Sequence, residues 1–462
     1  MFTAREIIKA THGQQVSGKK NTRFATVSID SRTVRNHSLF IPLIGVNHDA
    51  HDFISDAFAQ GASGVIVSKN MDHLPADKTI IKVADTLKAL QAIAALNRKK
   101  HRPKVVGITG SSGKTTTKDM LAAILSEEDS TIKTTENFNN EIGVPLTLLE
   151  IKAKHKFAAV EMAMRGIGEI RDLTMIARPD VAVITNIGKT HIAHLKSEEQ
   201  IARAKSEIFE GLKAPGIAVL PADDDFFALL KTKAGKHRII TFGMRDSADV
   251  YPVNIKTQKN RLSFKLCSKF DSFPINLPLP GTHNILNALA AAAAAFALDI
   301  KPASIQLGLR RFKPSSKRME VFYLRNQAML INDSYNANPD SMRAAIEMLY
   351  QMQNLESKKP SRKIAVLGDM LELGLRSISS HQKVGKAVKE FEIDMLVTVG
   401  KWSTYVAQSA IVNGFATQHI YSFLKNQEVI AFLKSIIGPS DVILIKGSRG
   451  MKMEEIVEAL SQ

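Results

Sequence analysis

The sequence predicts an α/β protein of three domains: a small N-terminal α/β domain, a central domain with a mostly parallel sheet, and a C-terminal α/β domain of Rossmann-like build. Three observations lead there. The chain has 462 residues, too many for one ordinary core at roughly 150 residues per domain. Continuous apolar runs alternate with helix-length segments, the pattern of a parallel sheet covered on both faces. Two basic, proline-containing stretches break that rhythm, NRKKHRP (residues 97–103) and RRFKPSSKR (310–318), and place the domains at residues 1–100, 101–314 and 315–462.

Each element follows in order. The first hundred residues hold ATVSIDSR, SLFIPL and GVIVSK, short β-rich segments around a helical stretch, DFISDAFAQGA. NRKKHRP then reads as a linker closing on Pro103. The central domain supplies the strands KVVGIT, FAAVEM, VAVITNIG, GIAVLP and RIITFG, and ends with ALAAAAAAFAL (residues 288–298). That segment is about half the length a membrane span needs, so it reads as a buried helix. Beyond the second break, AMLINDSY, KIAVLGDM, DMLVTVG and DVILIKG restart the rhythm without a Gly-rich loop of their own. There is no internal repeat.

Composition narrows the class. An apolar fraction of 44% and a single cysteine, Cys267, describe a globular chain without a disulfide framework or a multi-cysteine metal site. The N-terminus MFTAREIIKA has no apolar signal core, which points to the cytoplasm. A formal charge of +17 raises the question of nucleic acid. No aromatic-and-basic motif, zinc finger or basic zipper accompanies it, and a basic surface attracting small polyanions accounts for the same charge. The expectation is no nucleic acid, no membrane insertion, and a monomer.

Chemistry enters at VGITGSSGKTTTKD (residues 106–119). A β-branched strand ends in Thr109, Gly110, Ser111, Ser112 and Gly113, and Lys114, Thr115 and Thr116 open a helix. Small residues let backbone N–H groups converge on phosphate oxygens, Lys114 adds a charge at the β and γ phosphates, and the Thr115 hydroxyl suits Mg²⁺. Ile108 stands where the common form of the loop has glycine, so this is a variant phosphate loop, and the central domain reads as an ATPase domain. Glu161 ends the strand FAAVE and His191 follows the next strand, both on the carboxyl rim where ligands bind in such sheets. In SEEQIARAKSEIF (residues 197–209), Ser197 with Gln200 signals a helix start, and Ile201, Ala204 and Ile208 form its apolar stripe. Lys205 borders that stripe.

Residues as well as rhythm then carry a resemblance. TGSSGKTTTKD, TTENFNNEIGVPLTLL (residues 134–149), Glu161, TNIG with His191, AKSE with Lys205, and GTHNILNALAAAA (281–293) resemble the Mur ligases, the ATP-dependent amino-acid-adding enzymes of peptidoglycan synthesis. INDSYNANPDSM, LGDMLELG with His381, LIKGSRGMKMEE, and in the first domain DSR, LFIPLIG and the DxHxF pattern at Asp49–Phe53 extend it over nearly the whole chain.

The resemblance implies that Thr109–Thr116 hold ATP, that Thr115, Glu161, His191 and a carbamylated Lys205 ligate two Mg²⁺ ions, and that Lys114, Lys205, His191 and Glu161 carry the chemistry. It implies that Asn287 meets the adenine, and that Arg318 and Asp333 reach phosphates and ribose. Ser31, Arg32, Asn47 and His48 fall at the UDP end of the substrate, Asn139 and Asn140 on the substrate side of the central domain. The third-domain motifs narrow the implied substrates to UDP-N-acetylmuramoyl-tripeptide and D-alanyl-D-alanine, joined through an acyl phosphate. The chain departs from the family's usual Glu-Met-Gly at Ala163, from its Ala-His at Thr190, and from a frequent glycine at Ala193.

Overall fold

The strand Lys104–Thr109 sits inside a nine-stranded sheet, paired in parallel with Phe157–Glu161 on one side and Val181–Ile184 on the other. The structure, a computed structural model, describes every residue except 46–47, 72–73, 189–194, 196, 259, 270, 358 and 462. From the central strand the chain builds outward first through Thr131–Lys133 and Phe157–Glu161, then in the opposite direction through Val181–Ile184, Ile217–Pro221 and Arg238–Phe242. The order therefore reverses at the strand that feeds the phosphate loop. Such a reversal leaves a crevice at the carboxyl end of the sheet, which is where ligands bind in open α/β folds.

Both faces of this sheet are covered, as its apolar strands require. The alanine helix Thr282–Phe296 packs with the helix Lys114–Ser126 on one face, and Ala290–Ala295 are wholly buried there. Helices Gly143–Leu149, Glu169–Ala177 and Glu198–Ser206 cover the other. The sheet is not parallel throughout. Val250–Gln258, Arg261–Ser268 and Ser272–Leu277 add an antiparallel meander at one edge. The sequence reading assigned no strands there because these segments lack continuous apolar runs. Ser272–Leu277 alternates exposed and buried residues, the period of a strand with one wet face.

The N-terminal sheet runs Gln14–Ser17, Thr79–Lys82, Ala62–Val67, Ser38–Phe40, Thr26–Ser28, and only its first pair is antiparallel. The C-terminal sheet runs Glu320–Tyr323, Met329–Asp333, Val442–Lys446, Lys363–Gly368, Met395–Val399, Ile420–Phe423, again antiparallel only in its first pair.

The expected linker NRKKHRP is a helix end. Helix Thr86–His101 starts at Asp85, whose carboxylate accepts from the N–H groups of Leu87 and Lys88, and continues through Asn97–His101. Its Ala89, Leu90 and Ile93 belong to the N-terminal core, while Ala94 belongs to the central one. Asn97 donates to the carbonyls of Leu148 (2.8 Å) and Ile151 (3.0 Å), capping a central-domain helix. Arg98, also buried, donates to Ala177 O and pairs with Asp180 at 3.1 Å. Polar residues read as a solvated linker are polar because they satisfy carbonyls between domains. Among the described residues no helix is long and apolar enough to cross a membrane.

Candidate functional site

The phosphate loop takes its shape from the neighbouring strand end. Gly110 (φ 152°) and Gly113 (φ 75°) hold backbone conformations that side chains disfavour, and a Cβ on Gly110 would fall on the Thr185 hydroxyl. Thr185 Oγ1 donates to Ser112 O at 2.6 Å. Asn186 Oδ1 accepts from the N–H groups of Ser111 (3.1 Å) and Ser112 (2.9 Å), and its amide donates to Ser112 Oγ at 2.7 Å. The motif TNIG alone gives Thr185 and Asn186 no role; their position after a strand adjacent to the phosphate-loop strand is the signal for one. Thr109 Oγ1 is buried with no hydrogen-bond partner among the described residues, a hydroxyl free to serve an incoming group.

Two lysines converge behind this loop. Lys114 Nζ donates to Gly110 O at 2.8 Å, and Lys205 Nζ donates to the same oxygen at 2.9 Å. Lys205 does more than border an apolar stripe, for it is 2% exposed, delivered by the helix Glu198–Ser206 that Ser197 caps by accepting from Gln200 N–H. Burial, and then the Lys114 charge, hold its pKa well below the ordinary lysine value. Lys114 is lowered by burial too, with Glu161 opposing and Arg318 adding to the shift.

Glu161 is buried at the end of its strand, and its two oxygens are addressed separately. Thr115 Oγ1 donates to Oε2 and Asn139 Nδ2 to Oε1, each at 2.8 Å. The Glu161 N–H donates to Thr134 Oγ1, and the Thr134 carbonyl accepts from the buried Lys118 ammonium. A hydroxyl and a carboxylate in contact beside a phosphate loop form the hard oxygen set that Mg²⁺ takes, together with water and phosphate. His191 lies outside the described residues. Among those described, no group of three histidine, cysteine or acidic side chains forms a metal site without the nucleotide.

The C-terminal domain stands over the loop. Ser315 Oγ donates to the buried Asp119 carboxylate, which also receives Lys133 at 2.6 Å. Ser315 O accepts from Arg318 N–H at 3.2 Å, so this contact fixes the turn that carries Arg318. The Arg318 guanidinium lies 4.0 Å from the centre of the Tyr335 ring. A cavity here is lined by Thr116, Asp119, Asn284, Phe312, Ser315 and Arg318. Asn284 lines it directly, whereas Asn287 stands beside it against Gly113, in hydrogen bonds with Thr117 (3.4 Å) and Asn284 (3.3 Å). Asp333 forms an ion pair with Lys446 and accepts from Met319 N–H at 3.2 Å. His283, next to Asn284, feels both members of that pair, and burial lowers its pKa to about 4. A Cβ on Gly188 would lie 2.8 Å from Asp340 Oδ2 and 3.4 Å from Ser111 Cβ, which brings the start of the C-terminal helix Pro339–Gln351 beside the loop.

The remaining expected residues fall as follows. Asn139 touches Glu161, but Asn140 spends its side-chain oxygen on the N–H groups of Ile142 (3.3 Å) and Gly143 (2.9 Å). Ser31 and Arg32 sit in a short 3₁₀ turn, with Arg32 exposed and forked on Asp30. His48 is exposed, and Asn47 lies outside the described residues. The nearby DxHxF pattern is a support. His51 is buried, its Nδ1 donates to Asp49 at 2.6 Å, and its Nε2 accepts from Ser68 N–H at 3.2 Å.

Comparison with known proteins agrees across the whole length. Residues 108–295 match the Mur ligase middle domain, 317–449 the Mur ligase glutamate ligase domain, and 23–98 the Mur ligase family catalytic domain. The chain is 37% identical to the UDP-N-acetylmuramoyl-tripeptide--D-alanyl-D-alanine ligases of Bacillus subtilis, over 94% of this chain and 92% of that one, and of Escherichia coli, over 94% and 93%. A solved structure of MurF from Acinetobacter baumannii superposes with a TM-score of 0.91 at 33% identity, covering 100% and 98% of the two chains. That of MurF ligase from Thermotoga maritima in complex with ADP superposes with a TM-score of 0.81 at 26% identity, covering 95% and 97%.

Proposed function

The chain belongs to the Mur ligase family, and from that premise we propose how its own residues carry out the family's chemistry. It is a ligase that adds D-alanyl-D-alanine to UDP-N-acetylmuramoyl-tripeptide in peptidoglycan precursor synthesis, and it uses ATP. We place this work in the cytoplasm, in keeping with a single, unpaired cysteine.

A carboxylate and an amine do not condense in water, because hydroxide is a poor leaving group. The γ-phosphoryl group of ATP therefore passes to the terminal carboxylate of the tripeptide, giving an acyl phosphate and ADP. The dipeptide amine attacks the acyl carbon, the tetrahedral adduct collapses, and phosphate leaves. Catalysis of this kind is mainly positional and electrostatic. Lys114 lies where it neutralises the β and γ phosphates, and Arg318 brings a second cation within electrostatic range of it. Thr115 and Glu161 would hold Mg²⁺, with Asn139 fixing the carboxylate, and His191 would be a further ligand. Bound there, the ion would supply positive charge against the crowding between nucleotide and incoming carboxylate.

The observation that carries this reading is Lys205. Burial, and then the Lys114 charge, disfavour the ammonium form of this enclosed amine and so favour its free base. Its lone pair would add to the carbon of CO₂ as one proton leaves the nitrogen, and the resulting carbamate would offer an anionic oxygen to a second Mg²⁺. Asn284 and Asn287 supply amides on the adenine side, and Asp333 stands ready for the ribose beside Lys446.

Phosphate release from ATP with UDP-N-acetylmuramoyl-tripeptide tests the reading, comparing D-alanyl-D-alanine with single amino acids and weighing the product by mass spectrometry. Release that depends on the dipeptide and yields the pentapeptide supports it. Release with a different amine, or none, overturns it.

A further inference from the structure

The basic segment that opened the question of nucleic acid takes no part in the site. Helix Thr86–His101 delivers its last turn to the edge of the central sheet where Lys104–Thr109 begins. Phe157–Glu161 begins at the same edge after the stretch KAKHK, and Lys104 N–H donates to Lys156 O at 2.8 Å. Two basic stretches far apart in sequence thus form one surface. Lys99, Lys100, Arg102 and Lys104 are exposed from the first, and Lys152, Lys154 and Lys156 from the second. His101 and His155 lie between them. Burial lowers both imidazole pKa values first, and the surrounding cations, including the N-terminal amino group, lower them further. Glu6 offsets Lys100 at 3.3 Å, which leaves the cluster strongly positive.

Attraction of the nucleotide does not explain this surface. The phosphate loop lies at the opposite end of the same six-residue strand, about 17 Å of extended chain away. That is twice the screening length of about 8 Å at physiological salt. Fold stability does not explain it either, since like charges gathered this closely repel.

We propose that this edge docks the enzyme on an anionic lipid bilayer. Six of the seven exposed cations are lysines, compact charges on long stems that suit a diffuse negative surface. The exposed aromatic rings among the described residues, Phe53, Phe138, Tyr323 and Tyr350, all lie outside the cluster, so it offers no platform for stacking bases. The helix beneath it is locked between two domains by Asn97 and Arg98 and is not free to enter a nucleic-acid groove. Docking is peripheral, and the phosphate loop at the far end of the sheet stays open to solution.

Sedimentation of the full chain with phosphatidylcholine vesicles, with and without about 30% phosphatidylglycerol, tests the proposal at low and high salt. The expected result is at least about tenfold more binding to the anionic vesicles, lost at high salt. Reversing Lys152, Lys154 and Lys156 to glutamate abolishes it and leaves turnover unchanged. Reversing Lys231, Lys233 and Lys236 on another surface changes the net charge equally and leaves binding intact. Lys154→Gln with Lys156→Gln is the milder variant should the triple reversal fail to fold, and it reduces binding in part. No binding to anionic vesicles, equal loss in both triple variants, or displacement from vesicles by duplex DNA or RNA at equal phosphate concentration each overturns the proposal.

Discussion

Lys114 and Lys205 donate to one acceptor, the carbonyl oxygen of Gly110, at 2.8 and 2.9 Å. Two ammonium groups on a single buried oxygen repel each other, and the relief is for one of them to give up its proton. Lys205 is buried where Lys114 is only half-buried, and it has no carboxylate among the causes of its shift, whereas Glu161 supports the charge on Lys114. The shift favours the cation on Lys114 over the cation on Lys205, as the proposed division between phosphate and CO₂ requires.

Lys205→Ala is expected to lower turnover by at least about 100-fold, with partial recovery on adding formate or acetate, which place a carboxylate in the vacated space. Turnover near the native rate would remove Lys205 from the mechanism. Lys205→Met should also hold or raise the thermal midpoint, because a buried polar group is exchanged for an apolar one of similar volume. Calorimetry with all substrates left out checks the second outcome.

Asn139→Ala leaves Glu161 in place but unsupported on one side. Half-saturation by Mg²⁺ is expected to shift upward by about 10–100-fold, as for other supports of metal ligands, while the apparent affinity for D-alanyl-D-alanine at saturating metal stays unchanged. An unaltered Mg²⁺ titration would mean that the Asn139 bond serves only local packing.

Ser315 and Asp119 act together on Arg318. Ser315→Ala and Asp119→Asn should each raise KM for ATP by several-fold, and the double variant should cost no more than the stronger single one, the signature of residues sharing one interaction. Ser315→Thr keeps the hydroxyl and should recover most of the loss. Additive effects in the cycle would show that the two residues act independently.

His283 gives a pH dependence whose sign follows from burial. Its pKa falls from 6.5 to about 4 in the folded chain. Between these values the unfolded chain binds the proton and the folded chain does not, so stability declines as pH falls from 6.5 towards 4. Denaturant midpoints measured across that range should drop with acid, and His283→Gln should flatten part of the slope. A slope identical in the variant would assign the acid sensitivity to other groups.

How much of this was legible in the sequence differs by the distance over which each feature is built. The phosphate loop was readable because Thr109–Thr116 are contiguous and each residue type answers a local demand. The support of the loop by Thr185 and Asn186, and of Ser315 by Asp119, joins residues 73–196 positions apart, and no local pattern announces such partners. Lys205 lay between the two cases. Helical spacing put it at the margin of an apolar stripe, and only the resemblance to the Mur ligases gave it a task that burial then makes chemically sensible. The basic stretch NRKKHRP (residues 97–103) reads as a linker because basic residues and a proline break the apolar rhythm, yet residues 97–101 continue helix Thr86–His101. In the folded chain Asn97 and Arg98 satisfy carbonyls inside an interface.

Helix Thr86–His101 has one further consequence. Its apolar residues are shared between the N-terminal and central cores, and Asn97 and Arg98 pin its end to the central domain. The platform proposed for the UDP end and the loop that activates the carboxylate are therefore mounted on a single beam. If that span is fixed, the helix would act as a gauge on substrate length: a peptide one residue short is expected to turn over poorly even at saturating concentration, which steady-state kinetics with the shortened substrate checks.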